Sequence, residues 1–268
     1  MEVRGQVAVV TGGASGIGRA LAERFAAEGA AGVVVADLDA DGAAAVASGL
    51  DGRALGVGAD VSSEADLERL IEAAELAFGP IGLFCANAGV GVGAGIGSEE
   101  DWDLALAVNA RAHVRAARLL VPRWLERGGG WFLATASAAG LLTQIGSATY
   151  AVSKHAAVAF AEWLAVTYGE RGIGVSCLCP MGVETPLLRA GEQAGGDAAA
   201  ATRAVVGAGA ILQPEQVADA VIEGLRDERF LILPHPEVLE FVRRKASDRD
   251  RWLAGMRRLQ AAVAGRQT

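Results

Sequence analysis

Seven short apolar runs punctuate the chain, at residues 6–11, 33–36, 53–59, 81–86, 131–136, 174–178 and 230–233. Most are bounded by Gly, Asp, Asn, Ser or Pro, and their near-continuous apolar character is that of strands buried on both faces. Between them the apolar spacing lengthens to three or four residues. This predicts helices from the glycine turn at 12–18 to about 28, then over 39–50, 63–78, 98–126, 147–171 and 214–226. Ser63 and Ser98 stand where helix N-caps are needed, the second followed by Glu-Glu-Asp. Repeated strand-helix alternation specifies a parallel sheet covered by helices on both faces. In such sheets ligands bind beyond the carboxyl ends of the strands. Gly12, Asp37, Asp60, Asn87, Ser137 and Pro180 all fall at those ends.

Two stretches remain. Residues 186–212 are rich in Ala and Gly and read as a long flexible connection. After Pro234-His235-Pro236, a tail with Leu239, Val242, Ala246, Leu253 and Met256 at roughly helical spacing extends the domain 1–235 over 236–268. The tail's seven basic residues between Arg243 and Arg258 are interleaved with Asp248 and Asp250, as on a solvated face.

Composition narrows the possibilities. Of 268 residues, 52% are hydrophobic, enough for a large core. The net charge of −8 argues against a general nucleic-acid or anionic-membrane surface. Cys85, Cys177 and Cys179 lie in apolar segments and read as reduced thiols. His113, His155 and His235 are scattered, with neither an H-E-x-x-H nor a C-x-x-C arrangement, so no metal is expected. Neither a secretory leader nor a membrane span is apparent, and the expectation is a globular cytoplasmic protein.

The candidate chemistry sits at two places. Gly12-Gly-Ala-Ser15-Gly16-Ile17-Gly18 joins the first strand to a helix, where backbone N–H groups and the helix N-terminus can hold a pyrophosphate. Asp37 ends the second strand, where a carboxylate accepts hydrogen bonds from ribose hydroxyls and repels a 2′-phosphate. The other reading of Asp37 is a helix cap. Tyr150 and Lys154 are spaced i,i+4 and share a helix face. A free phenol has a pKa of roughly 10, and a fixed cation beside it favours the ionised form that a base requires.

Taken together, Thr11 to Gly18, Asp60-Val61, Asn87-Ala88-Gly89, Asn109, Ser137 and Tyr150-x-x-x-Lys154 resemble the short-chain dehydrogenase/reductase family in order and spacing. The resemblance spans about residues 5 to 235. It implies a Rossmann-type, doubly wound, seven-stranded parallel sheet and an oxidoreductase that transfers hydride between NAD and a secondary alcohol or ketone. It further implies that Gly12, Ser15, Gly16, Ile17 and Gly18 hold the pyrophosphate and that Asp37 holds the adenosine ribose. Asp60 and Val61 would flank the adenine, and Asn87, Ala88 and Gly89 would form the cofactor-side edge. Tyr150 would be the general acid/base, Lys154 would lower its pKa and bind the nicotinamide ribose, Ser137 would steady the substrate oxygen, and Asn109 would anchor a water behind Lys154. Pro180, Val183 and Thr185 would meet the nicotinamide carboxamide.

One departure stands out: Met181 occupies a position where the family usually has glycine, so a local backbone different from the family's and a side chain facing the substrate are expected there. Leu38 after Asp37, and Ser15 where NADP enzymes carry a basic residue, favour NAD over an NADP-dependent reductase. Residues 186–212 occupy the place of the family's substrate loop, and on that reading their small apolar side chains imply a moderately hydrophobic small-molecule substrate. A homodimer or homotetramer built on the helices 98–126 and 147–171 is expected. The competing reading is a non-catalytic dinucleotide sensor of the same fold.

Overall fold

In the computed structural model, which describes residues 1–264, strands and helices alternate through most of the chain. The first half contains β1 (Val7–Thr11), α1 (Gly16–Ala27), β2 (Gly32–Asp37), α2 (Ala40–Ser48), β3 (Ala54–Gly58), α3 (Glu64–Phe78) and β4 (Ile81–Ala86). Next come α4 (Glu99–Leu106), a π-helical turn (Ala107–Arg111), α5 (Ala112–Arg127), β5 (Gly130–Thr135), the single turn α6 (Ala138–Leu141), α7 (Ala148–Tyr168) and β6 (Ile173–Leu178). The chain ends with α8 (Pro186–Gln193), α9 (Gly196–Val206), α10 (Pro214–Arg226), β7 (Leu231–Ile232), α11 (Glu237–Ser247) and α12 (Arg249–Ala264). Residues 265–268 of the expected tail lie outside the described residues.

All seven strands are parallel, in the order β3-β2-β1-β4-β5-β6-β7. The two-residue side-chain period divides each strand between two cores. Val7 and Val9 of β1 join Phe84, Phe132, Trp124 and Leu70 on the face covered by α3, α5 and α7. Ala8 and Val10 join Phe25, Leu83, Val217 and Ile222 under α1 and α10. Both faces exclude water, which explains the unbroken apolar runs. Successive connections run outward in opposite directions from β1 and β4, so a crevice opens between their carboxyl ends.

Four elements differ from the sequence-based expectation. The helix expected over 98–126 is interrupted by the π turn at Ala107–Arg111. The stretch 186–212 is not an open connection but mostly helix: Thr185 caps α8 by accepting from Leu188 N, Pro186 fills the first turn, and alanines fill α9. The tail breaks into two helices at Asp248, whose backbone is extended and whose Oδ1 accepts from Arg251 N at 2.9 Å. The last strand is only two residues long because Pro234, lacking an N–H, follows soon after it.

Phe132 is fully buried, with ring centroids of Phe84 and Trp124 at 6.0 and 6.5 Å. Phe132→Ala is expected to lower the unfolding free energy by about 3–5 kcal/mol in a denaturant titration. A loss below about 1 kcal/mol would mean that this aromatic cluster is not part of the cooperative core.

Candidate active site

At the crevice, the Thr11 hydroxyl accepts from Asn87 N at 3.0 Å and Ala88 N at 3.1 Å, and donates to Cys85 O at 3.2 Å. Asn87 Nδ2 donates back to Thr11 O at 3.0 Å and Gly12 O at 3.4 Å. The ends of β1 and β4 are thereby tied together beneath the glycine turn. Gly12 and Gly16 take φ values of +65° and +52°. A Cβ on Gly18 would stand 2.0 Å from Gly12 O, so this helix start tolerates no side chain there. α1 carries no acidic residue in its first turn, whereas α3 and α4 do. Ser15 precedes it without a side-chain capping bond, and Ile17 packs on the core beneath.

Asp37 turns its Oδ2 onto Ala14 N at 3.0 Å and its Oδ1 onto Asp39 N at 3.1 Å. The cap of α2 is Asp39, which accepts from Gly42 N, so Asp37 is not the helix cap. Leu38 is exposed beside it. Asp60 accepts from Ser62 N at 2.8 Å, and Val61 is buried against the α3 side of the core. A bare backbone cradle, an unopposed helix N-terminus and a carboxylate at the end of β2 fit a dinucleotide.

The acid/base side is built from α7 and the ends of β5 and β6. Ser137 caps α6, its hydroxyl accepting from Ala139 N at 3.1 Å and donating to Pro180 O at 3.4 Å. Tyr150 lies in the first turn of α7, which Ser147 caps. Lys154 is buried, donates from Nζ to Thr135 O at 3.0 Å, and stands 5.8 Å from the centre of the Tyr150 ring. Burial pulls the ammonium down to about 8, with the Cys179 and Cys177 sulfurs opposing. Burial pushes the Tyr150 phenol up, and the Ser137 hydroxyl pulls partly against it. The expected depression of the phenol by Lys154 is therefore not what the protein alone shows. The lysine is turned toward a carbonyl, and desolvation dominates.

Asn109 lies in the π turn, fully buried. Its Oδ1 accepts from Val90 N at 2.9 Å, and its Nδ2 donates to Val90 O at 2.9 Å and Ser153 Oγ at 3.0 Å. Both donors and the oxygen of the side chain are engaged by protein groups. A Cβ on Gly89 would lie 3.2 Å from Asn109 Oδ1 and 3.3 Å from Lys154 Nζ, so Gly89, Asn109 and Lys154 meet at one point. Thr185 reaches the cradle from the other side, its Cγ2 3.1 Å from where a Gly16 Cβ would sit, while Val183 is buried.

Sequence reasoning missed three residues. Lys245 does not belong to a solvated face: it is buried, donates to Leu141 O at 2.7 Å and to Leu142 O, and lies 3.5 Å from His155 Nε2. A basic run gives no signal of which member turns inward. His113 is buried with both ring nitrogens unpartnered, beside a cavity of about 10 Å³, room for about one water. Burial, with the Lys154 charge adding, holds it down to about 3 and therefore neutral. His235 was visible only as a histidine between two prolines. Among the described residues, no group of three or more His, Cys, Asp or Glu side chains is placed to hold a metal, and no helix is long and apolar enough to cross a membrane.

A family model described as short chain dehydrogenase matches residues 6–194. The chain belongs to the short-chain dehydrogenase/reductase family. It is an oxidoreductase of that family. It is 38% identical over 248 residues to the 1-deoxy-11-beta-hydroxypentalenate dehydrogenase of Streptomyces exfoliatus, covering 88% of this chain and 86% of that one. It is 34% identical over 188 residues to 3beta-hydroxysteroid dehydrogenase 2 of Eggerthella lenta, covering 68% and 72%. Its fold superimposes with a TM-score of 0.85 on a family member from Burkholderia phymatum in complex with NAD, at 34% identity over 93% of this chain and 96% of that one.

Holding the Lys154 ammonium in the interior costs stability. Because its pKa falls from 10.5 to about 8, the folded protein binds this proton less tightly than the unfolded chain. The cost is present in full below pH 8 and fades between pH 8 and 10.5. Lys154→Met is therefore expected to leave the melting temperature unchanged or raised near neutral pH while abolishing turnover. A marked loss of thermal stability in a neutral-pH melt would contradict this account.

Proposed function

We propose that this enzyme interconverts a secondary alcohol and a ketone with NAD as cofactor and Tyr150 as general acid/base. The observation that carries the reading is the meeting of Ser137, Tyr150 and Lys154 at the same sheet end as the glycine cradle. Nicotinamide, when bound, supplies the hydride acceptor or donor. The residues of this chain do the rest. The Ser137 hydroxyl and the Tyr150 phenol provide two preorganised partners for the substrate oxygen, on which negative charge grows as the C–H bond breaks. In oxidation the phenolic oxygen takes the hydroxyl proton, and in reduction it returns one. Lys154, buried and cationic, favours the ionised phenol once the site is filled. Asn109 holds Val90 and Ser153, and with them the floor under Lys154.

The Asp37 carboxylate supports NAD, since it faces the cradle with no basic residue at Ser15 or Leu38 to receive a 2′-phosphate. Residues 1–235 then carry both cofactor and catalytic groups, with 236–268 as an extension of the same domain. Leu141, Leu142 and Ile145 follow Ser137 closely in the chain, and the stretch 186–212 is rich in alanine. These apolar side chains support a moderately hydrophobic substrate, and the similarity to a hydroxypentalenate dehydrogenase and a hydroxysteroid dehydrogenase agrees with it. Exposed Val114, Val152, Trp163 and Val166 on α5 and α7 support a homo-oligomer formed on these helices.

Tyr150→Phe is expected to bind NADH within about twofold of the parent, as read by fluorescence, while alcohol oxidation falls by at least about three orders of magnitude. Retention of most of the kcat in the Phe variant would sink the assignment. Asp37→Ala is expected to bring the kcat/KM for NADP up toward that for NAD. An unaltered NAD preference would show that another group sets cofactor choice.

A further inference from the structure

We propose that His235 is a positioning residue that sets the nicotinamide side of the cleft, a proposal that rests on the cofactor reading above. The ring lies just past β7 and is 1% exposed. Its Nδ1 accepts from Met181 N at 3.1 Å. A backbone N–H can only donate, so Nδ1 is bare and the ring hydrogen is on Nε2. Nε2 then donates to Gly182 O at 3.1 Å and Ala210 O at 3.2 Å. One imidazole thus joins the segment after β6, the end of the helical stretch 186–212, and the start of the C-terminal extension.

The ring is fixed before it meets its partners. Pro234 and Pro236 restrict the backbone on either side, and Pro236 sits at the N-cap of α11. Residues 182–184 and 212 pair as a short ladder, with Leu212 N donating to Gly182 O at 3.0 Å and Glu184 N donating to Leu212 O at 2.9 Å. His235 closes the open end of that ladder. Gly209 lies beside the ends of two side chains, its missing Cβ position being 2.4 Å from Glu237 Oε1 and 2.5 Å from the Met181 methyl. Met181, where the family usually has glycine, thus lays its side chain beside Gly209.

The segment 180–185 is held at three points. Pro180 O receives Ala138 N at 2.8 Å and the Ser137 hydroxyl at one end. Thr185 touches Gly16 at the other. His235 holds the middle, at Met181 N and Gly182 O. Gly182 O keeps a second donor in Leu212 N, whereas Met181 N–H depends on Nδ1 as its acceptor. Loss of the ring takes from the half-buried Met181 N–H its acceptor and frees the peptide that precedes Val183.

The test is binding of ADP-ribose, which lacks nicotinamide, and of NADH to the parent and to His235→Ala, His235→Asn and His235→Gln. In the parent, NADH is expected to bind more tightly than ADP-ribose. In His235→Ala the ratio of the two dissociation constants is expected to shrink about tenfold, with ADP-ribose affinity within about twofold of the parent. Asn places an acceptor at the distance of Nδ1 and should restore most of the ratio. Gln reaches only the Nε2 position and should not. Equal weakening of both ligands, an unchanged ratio, or rescue by Gln and not Asn would overturn the proposal. The Asn and Gln pair decides the matter if the Ala variant does not fold. Should the parent bind neither ligand, or both equally, the nicotinamide reading itself falls and His235 with it.

Discussion

The Thr11 hydroxyl sits at the point from which the sheet winds outward in both directions, and its three hydrogen bonds close β1 onto β4 where their connections diverge. Everything that handles ligand is referred to that joint. Asn87 uses its amide to hold the first carbonyls of the glycine turn, while Gly13 N and Ala14 N donate to Ala36 O and Asp37 Oδ2 at the end of β2. Gly18 then brings α1 so close to Gly12 O that only a hydrogen fits between them. The cradle is thus a by-product of how two parallel strands are fastened at a topological switch point.

The candidate acid/base side is a second consequence of the same sheet end, reached at an energetic cost. Lys154 has no carboxylate partner and is stabilised by one carbonyl, Thr135 O. Tyr150 is likewise held protonated by its surroundings. Two groups that both prefer water are kept beside each other in the interior, an arrangement that packing alone would not select. The π turn belongs to the same economy of constraints. By widening the helix at Asn109 it brings a side-chain amide onto Val90 and Ser153, bracing the wall from which Lys154 projects.

The third layer is the C-terminal extension, which laces the cleft from outside. Lys245 satisfies the last carbonyls of the turn after Ser137. Arg203 Nε on α9 donates to Val263 O on α12, and Ile145, Ala200, Ala204 and Val263 form a small separate core there. Together with His235, these contacts mean that the helices over the cleft are backed by the end of the chain.

Much of this was legible in the residues. The seven apolar runs identified the strands because a sheet buried on both faces admits little else. The Gly12–Gly18 turn, Asp37 and the Tyr150/Lys154 spacing were legible because each is a local feature placed at a strand's carboxyl end. What the sequence could not decide were properties that depend on distant partners. Nothing local distinguishes Asn109 in a π turn from an asparagine in an α-helix, since the turn is stabilised by Val90 and Ser153 from other elements. Nothing in a basic run distinguishes Lys245 from its solvated neighbours, because its partners are carbonyls about a hundred residues earlier. The direction of the Tyr150 shift likewise depends on how deeply the folded chain buries the phenol, and desolvation is a property of the whole surrounding volume. The chain's local chemistry determined the sheet, the cradle and the candidate acid/base pair. Only the tertiary structure decided how that pair is charged and what holds it in place, because burial and long-range hydrogen bonds exist only once the chain has closed on itself.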